Sequence, residues 1–119
     1  MDDVELLVVQ ARQEVADWLR GGALDAEMQS LLAGAPEDLA QHHGKLADRF
    51  ARLAQEGDGF AIECSWNPSS LVFDAYWRQR GRPIMGLEKP VSAEDRDDAR
   101  LLACAHLMHF LSAAQSAAQ

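Results

Sequence analysis

The chain predicts an α+β domain in which a small antiparallel sheet is covered by about four helices, and three observations carry that prediction. Residues 60 to 66 alternate, with Phe60, Ile62, Cys64 and Trp66 on one face and Ala61, Glu63 and Ser65 on the other, the two-residue period of a half-buried strand. On both sides of that segment apolar residues recur at spacings of three and four, as amphipathic helices require. At 119 residues and 48% hydrophobic, the chain is sized for one core, because two would each fall near the limit of independent folding. The single domain divides into a helical part (1–57), a strand-rich part (59–89), a C-terminal helix (92–112) and a fraying tail (113–119).

Asp2 or Asp3 caps the first helix, and Val4, Val8, Ala11, Val15 and Trp18 form its stripe until Gly21-Gly22 stops it. Leu6, Leu7 and Val9 make its first turns apolar nearly all round, more than a helix packed on one side needs. Either both sides are buried within the monomer or one side meets another chain. Leu24, Met28, Leu31 and Leu32 make a short second helix ending at Gly34. Pro36-Glu37-Asp38 then reads as the proline-first, acid-rich start of a third. Leu39, His43, Leu46, Phe50 and Leu53 give that helix a stripe like that of the first, which predicts antiparallel packing of the two. Gly44 weakens its middle by about 1 kcal/mol relative to alanine, a place for a bend or break, and Gly57-Asp58-Gly59 ends it.

After the alternating strand, Asn67-Pro68-Ser69-Ser70 has the composition of a reversing turn. Residues 71 to 78 read two ways. A strand puts Leu71, Phe73, Ala75 and Trp77 on one face, whereas a helix capped by Ser70 groups Phe73 with Trp77 and Val72 with Tyr76; the density of Val, Phe, Tyr and Trp favours the strand and a hairpin. Arg80-Gly81-Arg82-Pro83 breaks the pattern, and residues 83 to 87 form a short edge strand or a loop. Ser92 and Asp95 resemble a capping box ahead of the last helix. Leu101, Leu102, Ala105, Leu107, Met108, Phe110 and Leu111 cover most of its circumference, which places it between the sheet and another layer.

Nineteen acids against eleven bases give a formal net charge of −8, which repels phosphate backbones and anionic lipid. No uncharged apolar run of about 18 residues and no basic leader is present, so the expectation is a cytoplasmic protein without a membrane span. Cys64 and Cys104 lie in apolar runs and read as packed free thiols rather than nucleophiles or a disulfide. Cys104, His106 and His109 sit within about one and a half turns. On a helix His106 and His109 are about 60° apart but Cys104 and His106 about 160°, so the three do not converge on a metal. A two-histidine site completed by His43 or a carboxylate remains geometrically open. Glu94, Asp95, Asp97 and Asp98 fit a solvated helix start, with Arg96 and Arg100 spaced to pair with them.

Tyr76, Trp77, Arg78, Arg80 and Arg82, with Lys89 beyond, form the one basic and aromatic concentration. Single-stranded nucleic acid would use such a segment, but the global charge opposes it; Trp, Tyr and Arg are also the residues that dominate protein interfaces. Together with Leu6, Leu7 and Val9 on the first helix, these residues are the candidate interface, and self-association is the leading explanation for the apolar excess of that helix.

A short acidic chain of capped helices, with a hydrophobic first helix at residues 4 to 18, an aromatic strand at residues 60 to 66 and no catalytic signature, resembles the small helical regulators with which bacteria bind and inactivate a transcription factor, quorum-sensing antiactivators among them. The resemblance is one of type and carries no residue over. It implies a homodimer that occupies the dimerisation surface of its target and so prevents that target from binding DNA. The expectation is therefore a non-enzymatic binding protein, without cofactor or metal, whose partners are itself and a protein with a basic or hydrophobic surface. The alternative is a small metal- or ligand-binding domain or enzyme with a pocket between the sheet and the last helix, using His106, His109 or Cys104.

Overall fold

The structure, a computed structural model, describes residues 3–22, 25–34 and 39–118, apart from the side chains of residues 40 and 115–118. The expected cap at Asp2, the contribution of Leu24 and the proline-led helix start at residues 36 to 38 lie outside the described residues. Among those described, the elements run α1 (Asp3–Arg20), α2 (Ala26–Leu32), a 3-10 turn (Ala40–His42), α3 (His43–Asp58), β1 (Phe60–Asn67), β2 (Val72–Gln79), β3 (Arg82–Pro83), β4 (Val91–Ala93) and α4 (Arg96–Ala118). The expected α+β class is what the chain adopts.

Helix α1 ends where its glycines begin, the Gly21 and Gly22 amides donating to the Trp18 and Leu19 carbonyls. Asp25 caps α2 by accepting from the Met28 amide at 2.9 Å. The break expected at Gly44 falls just before it, at the change from 3-10 turn to α-helix around His42 and His43. A Cβ on Gly44 would stand 2.9 Å from the Asp97 carboxylate, so the missing side chain lets the first turn of α4 come close. Helix α3 runs to the left-handed Gly59 (φ 73°), which turns the chain into β1.

Residues 72 to 79 are strand, and β1 and β2 form an unbroken antiparallel hairpin from Phe60↔Gln79 to Asn67↔Val72. The loop takes the Asx form read from its composition, with Asn67 Oδ1 accepting from the amides of Ser69 and Ser70, and Leu71 closes it at positive φ. A tight turn at Arg80-Gly81, both at positive φ, leads into β3. The ladder beyond β2 is completed by β4, through Phe73↔Ala93 and Ala75↔Val91. Ser92, expected as a helix cap, therefore belongs to a strand and donates to Asp74 Oδ1. Asp95 takes the capping role, accepting from the amides of Asp97 and Asp98. The free edge of β2 has only residues 91 to 93 and 82 to 83 to pair with, a long-range demand invisible in the local capping pattern. Helix α4 also runs on to Ala118, past the expected end at residue 112, because the alanine-rich tail has high helix propensity and no breaker.

The core lies between the inner face of the sheet and α3 and α4, with α1 laid chiefly on α4. Val8, Ala11, Val15 and Leu19 of α1, Leu46 and Phe50 of α3, Ala75 and Trp77 of β2, and Leu101, Cys104 and Leu107 of α4 are buried. The expected contact of the first and third helical stripes is made by Trp18 on Phe50, ring centroids 4.8 Å apart. Helix α4 sits between the sheet and α1, as its all-round apolar surface requires. No helix among the described residues is long and apolar enough to cross a membrane.

Candidate protein-binding surfaces

The buried stripe of α1 uses Val8, Ala11, Val15 and Leu19, which leaves Leu6, Leu7 and Val9 outside it. Val4, Leu6, Leu7 and Val9 are 43%, 48%, 52% and 38% exposed. Of the two sequence-based possibilities for Leu6, Leu7 and Val9, the monomer thus leaves them uncovered. Val4 belonged to the expected buried stripe; it is only half covered because it borders an open groove with Val8, Val72 and Ala93.

Two grooves flank this helix. One of about 360 Å³ runs between α1 and α4, with Leu7, Gln10, Glu14, Val91, Leu102 and His106 in its walls. Another of about 410 Å³ lies at the N-terminal end, where Val4, Val8, Val72 and Ala93 meet Glu94, Asp95 and Asp98. Apolar side chains line both; the N-terminal groove has an acidic rim, whereas the α1–α4 groove carries Glu14 as its one acid together with His106 and His109. Glu14 is hydrogen-bonded to His109 Nε2 at 2.8 Å.

Residues 76 to 82 do not act as one patch. Trp77 is 2% exposed and belongs to the core, its indole Nε1 donating to the Ala103 carbonyl at 2.7 Å and its ring 6.2 Å from that of Phe50. Its place in the expected interface is corrected by strand periodicity, since Tyr76 and Arg78 point to the opposite, outer face of the sheet. There the Tyr76 hydroxyl donates to the Glu63 carboxylate, Arg78 Nε donates to the same carboxylate at 3.2 Å, and the guanidinium lies 5.5 Å from the Tyr76 ring centre. The Tyr76 hydrogen bond, then the Arg78 hydrogen bond and charge, hold the Glu63 carboxyl below its ordinary range. Arg80 and Arg82 are exposed around the β2–β3 turn and form no ion pair among the described residues. Tyr76, Arg78, Pro83, Ile84, Leu87 and Glu88 border a cleft of about 320 Å³ beside them.

The histidines are dispersed into local pairings. His43 Nδ1 meets Asp98 Oδ1 at 2.7 Å, His109 meets Glu14, and His106 lines the α1–α4 groove. Among the described residues no three metal-binding side chains converge. Both cysteines are free thiols; burial pushes Cys104 up to about 12 and also raises Cys64. The seam between sheet and α4 is filled by Trp77, Leu101, Cys104 and Leu107, and His106 and His109 line the groove that α4 shares with α1 and with Val91 and Ser92 of β4. Comparisons of the chain with protein-family models, with curated proteins and with solved structures find no match.

Proposed function

We propose that the protein is a non-catalytic binding regulator, a homodimer that engages a transcription factor through the outward side of α1 and keeps it inactive. The observation that carries this reading is the shared exposure of Val4, Leu6, Leu7 and Val9 on one helix, beside two grooves of which the N-terminal one is acid-rimmed. Full burial of an aliphatic side chain of this size contributes about 1.5–3 kcal/mol, so four that are roughly half exposed supply the core of a specific interface. The acidic rim and the overall charge select a partner whose contact surface is basic around an apolar centre. An apolar helix offered in this way competes with the helices through which a dimeric transcription factor pairs with itself, and a factor held apart from its own copy loses cooperative contact with a two-fold DNA site.

The test is capture from native-host lysate with tagged wild-type protein and with Leu7→Asp. One transcription factor should be recovered with wild type and lost with the variant, and adding wild-type protein should release that factor from its DNA in a mobility-shift assay. Equal capture by both proteins, or release of DNA by neither, would remove the regulator reading.

A further inference from the structure

The two edges of the sheet are treated differently by the sequence. Beyond β2 the edge is broken into β3 and β4, two and three residues long, and carries Pro83. Beyond β1 it is a single run of eight residues with no proline, no lysine and no bulge, since its register with β2 is continuous. Monomeric proteins blunt such edges by those very means, because a straight row of unpaired backbone groups recruits another strand. The Arg80 amide donates to the Gly59 carbonyl, which fixes the phase of the ladder. Alternation then aims the amides and carbonyls of Ile62, Cys64 and Trp66 away from β2. Among the described residues none of these groups has a hydrogen-bond partner.

We infer that this edge pairs with the same edge of a second copy, antiparallel about a two-fold axis at Cys64, to join the two sheets. The proposal rests on the regulator reading only in taking the protein as a homodimer, and it leaves α1 free for the target. Pairing needs the outward-aimed residues to face one another, which permits few registers. Centring on Cys64 sets Ile62 against Trp66 of the second copy, Glu63 against Ser65, and Cys64 against its equivalent, for about six backbone hydrogen bonds. The ladder ends on its own where Phe60 would meet Pro68, which has no amide hydrogen. Trp66, 49% exposed in the single chain, gains Ile62 of the second copy as a neighbour. Sliding by two residues one way opposes Glu63 to itself, a like-charge pair; sliding the other way sets Ile62 against Pro68 and shortens the ladder. The edge is thus self-complementary in one register, which favours a second copy over an unrelated strand.

Sedimentation over a concentration series tests this directly. Wild-type protein should be dimeric, and Ser65→Glu, which faces Glu63 of the second copy twice per dimer, should weaken pairing about tenfold. Ser65→Lys should pair at least as well as wild type. Because Ser65 also registers with Asp74 in its own sheet, the wild-type protein supplies an independent reading. Opposed residues in a hydrogen-bonded pair have Cα atoms about 5.5 Å apart, within disulfide reach. Diamide, which takes up the two electrons and two protons, should link copies through Cys64 and fail in Cys64→Ser. A monomeric wild type, or unchanged pairing in Ser65→Glu without a Cys64 link, would overturn the proposal. A dimer dissolved by Leu7→Asp alone would also overturn it and place self-association on α1, leaving the protein-binding reading intact. Failure to capture a transcription factor while Ser65→Glu still weakens the dimer would sustain the edge and reject the regulator.

Discussion

The seam between α4 and the sheet and the outward side of α1 use the same residue types to opposite ends. In the seam Trp77, Leu101 and Leu107 are closed off on all sides, and the Trp77 indole nitrogen carried in with them is matched by the Ala103 carbonyl. On α1 Leu6, Leu7 and Val9 are 48%, 52% and 38% exposed, Leu7 at the edge of the α1–α4 groove. Buried side chains convert apolar area into folding stability, whereas under the proposed function the exposed ones would release theirs on association. Substitutions should therefore separate into those that cost stability and those that cost binding.

The largest expected loss is in the seam. Trp77→Ala removes the ring that fills it and the hydrogen bond to Ala103, and should lower the unfolding free energy in urea by about 3–5 kcal/mol. Thiol labelling reads the same opening. Cys104 is buried and its thiol is pushed up to about 12, so it should react with an aromatic disulfide reagent at pH 8 only through unfolding, and much faster in the variant. Next comes the inward side of α1 itself. Leu19 is 1% exposed, and Leu19→Ala should cost about 2–5 kcal/mol while leaving Leu6, Leu7 and Val9 in place. If that variant, still folded at low temperature, keeps its partner, the two sides of one helix do separate work.

The hairpin and the helical stripes were legible because each depends on a repeat local to its segment: period two over residues 60 to 66, spacings of three and four along α1 and α3. Trp77 shows what a composition argument misses. The same alternation that grouped it with Phe73 and Ala75 sets it on the face opposite Tyr76 and Arg78, and strand periodicity outweighs the clustering of interface-type residues in the sequence. Ser92 was beyond local reading, since its strand exists only because β2 has an edge to complete. The exposure of Leu6, Leu7 and Val9 could be posed but not decided from sequence, because it depends on where α4 lies. Asp95, the residue that took the cap from Ser92, gives a smaller prediction: Asp95→Ala leaves the Asp97 and Asp98 amides without their acceptor and should cost about 1 kcal/mol in thermal or urea unfolding.

Least costly to the fold should be Leu7→Asp. Leu7 is 52% exposed, and surface changes away from caps and cavities usually fall within about 0.5 kcal/mol. A carboxylate in the N-terminal half of α1 is also on the favourable side of the helix dipole, although the effect fades within the first turn. An interface centred on Leu7 responds in the other direction, since closing it over the new carboxylate strands a charge beside the carboxylate of Glu14. Unchanged urea unfolding together with lost partner capture is the expected pair of results. A stability loss above about 2 kcal/mol would instead mean that Leu7 is held by the α1–α4 groove as core, and the contrast between the two sides of the helix would fall with it.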